Sequence, residues 1–319
     1  MENEWYDYFI ESLYKKFPKK GQLAQELIDL LNIEREAIYR RLRKEVQFPA
    51  LEIVKIATEW NISLDEIVSF CSGQVPFQMR QMNYLDPSDE EMKFLREVIQ
   101  SISYLKNSPD AEFMDICNKL PRQLIAGYQC LNQFYLFKWI YQYGNEKEIV
   151  PFSQIVISDE KNELTADYCH AIKQVPVTNF IWDSMLFDYL ISDIHYFYSI
   201  RMITDDEKAC IKRDLFALLD YMLEVANKGY YPETKNKVNI YISQLNIDTN
   251  YSYAFTPNGN VCFVHVFEKF EIHSFNPEMV TNFKMWMQLK KRSSIQISEV
   301  DERSRLEYFS TQRQIIDRL

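Results

Sequence analysis

The hydrophobic positions along most of this chain recur at spacings of three and four residues, which is the period of an α-helix. In residues 1–70 the pattern predicts five short helices, at 5–17, 21–31, 33–45, 49–60 and from 63 onward. Asn32 stands between the second and third helices, where asparagine tolerates the left-handed backbone of a tight turn. Ser63 and Glu66 have the spacing of a capping box at the start of the fifth helix.

The helical period continues over 88–235, after a stretch at 71–87 that has no periodic pattern and is typical of a linker. Helix starts are expected at Ser88, Pro109, Pro121 and Thr204, and the last of these helices is expected to end at Gly229. Four residues at alternating spacings, Met92, Leu95, Ile99 and Ile102, are compatible with a short dimerisation seam or with one face of a bundle helix. We expect a helical dimerisation or sensor domain here.

At residue 238 the period changes from three or four to two. Val238, Ile240 and Ile242 alternate with other side chains, as in a strand with one buried face. The stretches "NYSYAF" and "VCFVHVFEKF" predict two more strands joined by a hairpin turn at 257–259. A helix near 277–292, a short strand "SIQIS" and a helix near 300–318 follow. This region, 236–319, is therefore expected to be a small α+β domain with a three-stranded antiparallel meander.

The composition indicates where the protein is located in the cell and which kinds of partner it can bind. The 319 residues are 47% hydrophobic, and six cysteines without a CxxC pair are typical of reduced core thiols rather than of a disulfide framework. No apolar run approaches the roughly 18 residues of a membrane span, so we expect a cytoplasmic protein that does not interact with membranes. The net charge of −10 disfavours broad wrapping of nucleic acid but permits docking through one local patch.

Such a patch is predicted on the helix at 33–45. At about 100° per residue, Ile38 and Leu42 face the domain core. The opposite side presents Arg35, Glu36, Tyr39, Arg40, Arg43 and Lys44. A helix fits the major groove of DNA, where arginine binds guanine bidentately and glutamate accepts from cytosine. The first five side chains are candidates for base contacts, and the last, with Lys19 and Lys20, for phosphate contacts.

The stretch "LIDLLNIEREAIYRRLRKEVQFPALEIVKIATEWNISLDEIV" resembles the lambda-repressor-like (Cro-type) helix-turn-helix family. The resemblance covers about residues 20–70: two helices around a turn at Asn32, a helix led by Pro49 with an Ile-Ala pair, and an "ISLDEI" helix. The family usually has glycine at the turn, where this chain has asparagine. Its phosphate-contacting glutamine corresponds to Gln22 or Gln25.

The resemblance implies a bacterial-type transcription regulator that binds DNA. We expect a sequence-specific homodimer that reads an inverted-repeat operator in double-stranded DNA, with half-sites about 34 Å apart. The alternative is a protein-interaction module, antitoxin-like or adaptor-like, that uses a similar fold without binding DNA. The expected fold class is mainly α, with a five-helix helix-turn-helix domain at 1–70, a central helical bundle at 88–235 and the α+β domain at 236–319.

The C-terminal two-thirds contain no motif of a known catalytic or nucleotide-binding site. Cys262 and His265 are three apart on a predicted strand, so their side chains point to opposite faces and cannot share a metal. We expect no enzyme activity, no cofactor and no metal. One polar stripe, on a helix predicted over 178–203, consists of Ser184, Asp188, Ser192 and His195. It either orients a small-molecule effector in an apolar pocket or is the solvated edge of the helix.

Overall fold

The structure is a computed structural model that describes residues 4–72, 75–79, 87–103, 108, 110–125, 127–256, 259–266 and 270–319. The chain divides into two compact units, which we call the first unit (Met1–Phe77) and the second unit (Gln78–Leu319). Each has its own hydrophobic core.

The first unit is helical throughout its regular structure. Its helices are α1 (Glu4–Lys16), α2 (Lys20–Leu31), α3 (Arg35–Leu42), α4 (Ala50–Trp60) and α5 (Leu64–Ser72). The predicted turn is confirmed, because Asn32 adopts φ 53° and its N–H donates to the Ile28 carbonyl at 2.8 Å. The Glu66 N–H donates to the Ser63 hydroxyl at 3.2 Å, as the predicted cap requires.

The second unit combines helices with one eight-stranded sheet. The helices are α6 (Pro87–Ser103), α7 (Arg122–Ile125), α8 (Gln129–Tyr143), α9 (Asp159–Lys173), α10 (Asp188–Ser199), α11 (Asp205–Lys228), α12 (Pro277–Lys290) and α13 (Glu302–Asp317). The strands are β1 (Gln78–Met79), β2 (Glu112–Cys117), β3 (Val177–Trp182), β4 (Lys237–Ser243), β5 (Tyr251–Thr256), β6 (Gly259–Val266), β7 (Phe270–Ser274) and β8 (Ser294–Gln296).

The sheet is mixed, with the order β1-β7-β6-β5-β2-β3-β4-β8. The central strands β2, β3 and β4 run parallel to one another, and every other pairing is antiparallel. The expected mainly helical class is confirmed, since the structure is 59% helical over the residues that it describes. The predicted central bundle and three-stranded meander are wrong, because strands from both of those regions form this single sheet.

The missed strands explain the error. β2 ("EFMDIC") and β3 ("VTNFIW") are short and largely buried on both faces, so their sequences do not alternate between polar and apolar residues. Buried parallel strands have such continuous apolar runs, which periodicity alone does not separate from buried helix. The predicted helix start at Pro109 lies outside the described residues, and the chain after it forms β2. The predicted helix over 178–203 is in fact β3, a turn and α10.

The two faces of the sheet are covered differently. Side chains of β3 and β4 on one face, including Phe180, Val238 and Ile240, pack in the same cluster as Leu215 and Leu218 of α11. The opposite face of the sheet carries α12. The Thr204 capping box and the left-handed Gly229, φ 69°, bound α11 as predicted. The residues proposed as a seam on α6 lie on a helix that packs against α9 within the chain.

One disulfide joins α8 to α11. Cys130 and Cys210 are bonded, with their Cα atoms 6.1 Å apart. This corrects the expectation that the cysteines are reduced, and sequence could not reveal it because the partners are 80 residues apart without a motif. In the described part of the chain, Cys117, Cys169 and Cys262 are buried free thiols. The described helices include none with both the length and the apolar character that crossing a bilayer requires.

Candidate nucleic-acid interface

The basic segment forms the short helix α3, which packs against α2 across the turn at Asn32. Ile38 and Leu42 are buried in the core of the first unit. Arg35, Glu36, Arg40, Arg43 and Lys44 are exposed, and Tyr39 is half-buried. The prediction that charge is sorted by helix face is therefore confirmed.

The helix is shorter than predicted, since it ends at Leu42. Lys44 adopts a left-handed backbone, φ 65°, and the Glu45 N–H donates to the Arg40 carbonyl at 3.0 Å, which closes the last turn. The hydroxyl of Tyr6 lies 3.3 Å from the Arg41 carbonyl oxygen, which also accepts from the Lys44 N–H at 3.0 Å. Lys44 consequently projects from the turn after α3 rather than from the helix itself.

Arg41 has a different environment from its neighbours. Its guanidinium donates to Glu52 of α4 at 3.2 Å and lies 5.6 Å from the centre of the Phe48 ring, and its side chain is only 16% exposed. The side chain of Arg40, one position earlier, is 54% exposed. Arg41 therefore holds α3 against α4, while Arg40 projects into solvent.

Two carboxylates bind the Arg43 guanidinium. It donates to Glu36 at 2.8 Å and to Glu45 at 2.7 Å, and these contacts raise the pKa of Arg43 and lower that of Glu45. Arg40 lies 3.6 Å from the same Glu45 carboxylate. All of these groups are exposed, so water and salt screen the pairs and the arginines can exchange partners at little cost. Arg40 is the less tightly paired of the two.

The lysines assigned to phosphates lie at the surface beside α3. Lys44 pairs with Asp7 of α1 at 2.5 Å. The ammonium of Lys20 lies 5.7 Å from the centre of the Tyr39 ring, and Lys19 is exposed. A phosphate that approached Lys44 would therefore compete with one exposed carboxylate.

The resemblance allows Gln22 or Gln25 as the phosphate-contacting glutamine, and the two have different environments in the structure. The Gln25 carbonyl accepts from the Arg35 guanidinium at 2.9 Å, and the Gln25 amide donates to Asp29 at 3.0 Å. Gln25 thus orients the first arginine of α3, while Gln22 is an exposed residue near the start of α2.

The basic residues of the first unit are most concentrated near this surface, with five of them between Arg35 and Lys44. Residues 1–77 contain ten basic and thirteen acidic side chains, so the unit as a whole is not basic. A field that attracts phosphates can therefore arise only where basic groups are close together, as around α3.

Three members of the predicted polar stripe, Asp188, Ser192 and His195, lie on one face of α10, and the fourth does not. Ser184 is in the turn before α10, where its carbonyl accepts from Gln312 at 2.8 Å. Ser192 and His195 are exposed on α10, and Asp188 lies 3.6 Å from Arg318. The helix that was to carry the stripe is interrupted, and its remaining members face solvent.

The sheet contains a polar chain that sequence reasoning missed. The buried Ser252 hydroxyl, on a residue 5% exposed, donates to Asp115 at 2.8 Å and lies 2.9 Å from His265 Nε2. Burial raises the pKa of Asp115, and Gln123 donates to its second oxygen at 3.2 Å. Only the pairing of β2 with β5, and of β5 with β6, brings these residues together.

Cys262 and His265 are on opposite faces of β6, as predicted. The Cys262 thiol contacts the Ser274 carbonyl at 3.7 Å, whereas His265 contacts Ser252 on the other face. Within the ranges that the structure describes, no three histidine, cysteine or carboxylate side chains are grouped as metal ligands.

No protein-family model, curated protein or solved structure matches this chain.

Proposed function

We propose that this protein is a sequence-specific DNA-binding transcription regulator, which acts in the cytoplasm as a homodimer. The first unit docks α3 into the major groove of an inverted-repeat operator. Arg35, Glu36, Tyr39, Arg40 and Arg43 read base edges, and Lys44, Lys19 and Lys20 contact phosphates. The second unit supplies dimerisation and has no catalytic role.

The observation that carries this proposal is the arrangement of α2, Asn32 and α3. A left-handed residue joins two packed helices, and the second helix buries Ile38 and Leu42 while exposing its arginines. A major groove accommodates one helix of this diameter, and arginine is the side chain that best recognises guanine there. Arg40 contributes most to base reading, since it is exposed and only weakly paired.

The test is a fluorescence-anisotropy titration of the full chain with a random-sequence duplex pool, followed by selection of the bound sites. We expect enrichment of a short inverted repeat and an affinity that falls steeply between about 50 and about 300 mM salt. On the selected site, Arg40→Ala weakens binding by about 1–3 kcal/mol, as expected for a lost bidentate contact.

The matched control is Lys55→Ala, which removes one exposed positive charge from α4 of the same unit. Its affinity should stay within about twofold of the unmodified protein, since Lys55 is not on the α3 surface. If both substitutions weakened binding equally, Arg40 would contribute only general electrostatic attraction and no specific base contact. Absence of binding at about 50 mM salt by the folded protein would contradict the proposal.

One observation favours the alternative, a protein-interaction module without DNA binding. Leu51, Val54 and Val68 are exposed on α4 and α5, with 83% of Leu51 accessible to solvent. Exposed apolar groups of this kind are typical of protein contacts when they are contiguous. In that case the first unit binds no duplex at any salt concentration, and Leu51→Asp, not Arg40→Ala, weakens association with the partner.

A further inference from the structure

The second unit carries a polar cluster on the sheet face that is covered by α12. Asn239 of β4, Asn179 of β3 and Glu112 of β2 lie on this face, and Lys284 and Lys291 approach them from α12 and the residue after it. Asn179 is only 3% exposed, so the cluster reaches the interior of the unit.

Hydrogen bonds connect these side chains across three strands. The Asn179 amide donates to Glu112 at 2.9 Å, and its carbonyl oxygen accepts from Asn239 at 3.1 Å and from Lys291 at 3.0 Å. Lys284 pairs with the other Glu112 oxygen at 2.7 Å. One carboxylate therefore neutralises one of two converging ammonium groups.

Lys291 has no carboxylate partner within 4.0 Å among the residues that the structure describes. It is half-buried, its ammonium lies 4.9 Å from the centre of the Tyr241 ring, and its hydrogen bond to Asn179 has a neutral acceptor. Burial lowers the pKa of Lys291, the nearby Glu112 carboxylate partly offsets this by raising it, and Lys284 lowers it again. A partly desolvated cation that makes no direct ion pair is unfavourable, and an anion in contact with it would relieve that cost.

We propose that Lys291, assisted by Lys284, binds the compact oxyanion group of a small ligand, a carboxylate or a phosphate, on this face of the sheet. Lys291 and Lys284 contact the same hydrogen-bonded cluster. Each ammonium group has three N–H donors on a compact charge, which suits a small, fully ionised group. Glu112 acts as an internal competitor, because it pairs with Lys284 and repels a second anion. A role for such a ligand as effector rests on the proposed regulatory function, but its binding does not.

The experiment is isothermal titration of the full chain, without DNA, with inorganic phosphate and separately with acetate. Chloride keeps the ionic strength constant. We expect saturable binding of at least one of the two anions, and the one that binds identifies the head group. Lys291→Met should weaken that binding by about tenfold or more, since it removes a charge-assisted contact while keeping most of the apolar part of the side chain.

The control is Arg292→Gln, which removes an exposed positive charge from the adjacent residue and should leave affinity within about twofold. Glu112→Gln keeps an acceptor for Asn179, releases Lys284 and should tighten binding several-fold. This second variant tests the proposal even if Lys291→Met does not fold. Failure of both anions to bind, equal effects at positions 291 and 292, or no tightening by Glu112→Gln would each overturn it.

Because no DNA is present, failure of this experiment is distinct from failure of the proposed function. If the protein binds its operator but neither anion, the proposed anion site is contradicted and the proposed regulatory function stands. If it binds an anion but no duplex, the anion site stands and the regulatory function is contradicted.

Discussion

The α3 surface of the first unit and the sheet of the second unit hold their polar side chains in different environments. At the α3 surface, Arg40, Arg43 and Lys44 are exposed and pair with exposed carboxylates. In the second unit Asp115, Asn179 and Ser252 are buried within the sheet and hydrogen-bonded across strands. Exposed pairs contribute little to folding, whereas buried polar groups are costly when a partner is lost.

This difference separates the expected effects of substitution. Changes on the α3 surface should alter what the protein binds while leaving its folding intact. Changes inside the sheet should alter the free energy of unfolding first.

The largest effect is expected from the disulfide between α8 and α11. Cys210→Ser opens a covalent loop defined by a separation of 80 residues, and chain entropy then favours the unfolded state by about 4 kcal/mol. Urea denaturation followed by circular dichroism should show this loss in the transition of the second unit. Reductant should reproduce it in the unmodified protein and add nothing to the variant.

The next effect concerns the buried polar chain in the sheet. Ser252→Ala removes a hydroxyl that contacts both Asp115 and His265, and it should lower the free energy of unfolding by about 1–3 kcal/mol. Ser192→Ala, at an exposed serine of α10, should change it by less than about 0.5 kcal/mol. Similar urea midpoints for the two variants would mean that the chain does not stabilise the sheet.

A smaller effect is expected at the turn of the first unit. Asn32 is left-handed, φ 53°, and Asn32→Ala should destabilise this unit by about 1 kcal/mol, because a Cβ without a compensating polar group disfavours that backbone. Asn32→Gly should retain the stability, since glycine adopts this conformation readily. Thermal unfolding of both variants checks the pair, and a loss with glycine as large as with alanine would contradict the backbone argument.

The smallest effect on folding is expected at Glu45, which contacts Arg43 and Arg40 at the surface. Glu45→Gln should leave the melting temperature unchanged. If the first unit binds DNA as proposed, the same substitution should tighten binding to any duplex, because both arginines lose a competing carboxylate. Anisotropy at fixed salt measures this, and a lowered melting temperature would show that the pair is structural.

The two units also differ in how much of their structure could be predicted from the sequence. The turn at Asn32, the buried Ile38 and the cap at Ser63 were all identified, because each depends on residues close together in sequence. The strand β2 was missed, since it pairs with β5, and Asp115 lies opposite Ser252. No local period records such a partner, and two buried faces remove the alternation that marks a strand.

The candidate sites show the same difference between features that depend on residues close in sequence and features that depend on distant ones. Helical periodicity identified the arginines of α3 but not the inward role of Arg41, which depends on Glu52 of another helix. The cluster around Lys291 had no sequence signal, because three strands and α12 contribute to it. The predicted polar stripe loses Ser184, because the chain forms a strand, a turn and a helix where one helix was expected. Asp188, Ser192 and His195 form a solvated edge of α10, which is one of the two interpretations that the sequence allows.

The strand order has a consequence for the behaviour of the protein at high concentration. In the described part of the chain the sheet ends at β1, with two residues, and at β8, with three. Long, flat edge strands offer rows of unpaired backbone groups on which other molecules can add strands. Each of these end strands covers only part of its neighbour, so among the described residues intermolecular β-pairing is limited to the short end strands and the uncovered parts of β7 and β4. The central strands β2 and β3 have partners on both sides, which shields them from such pairing.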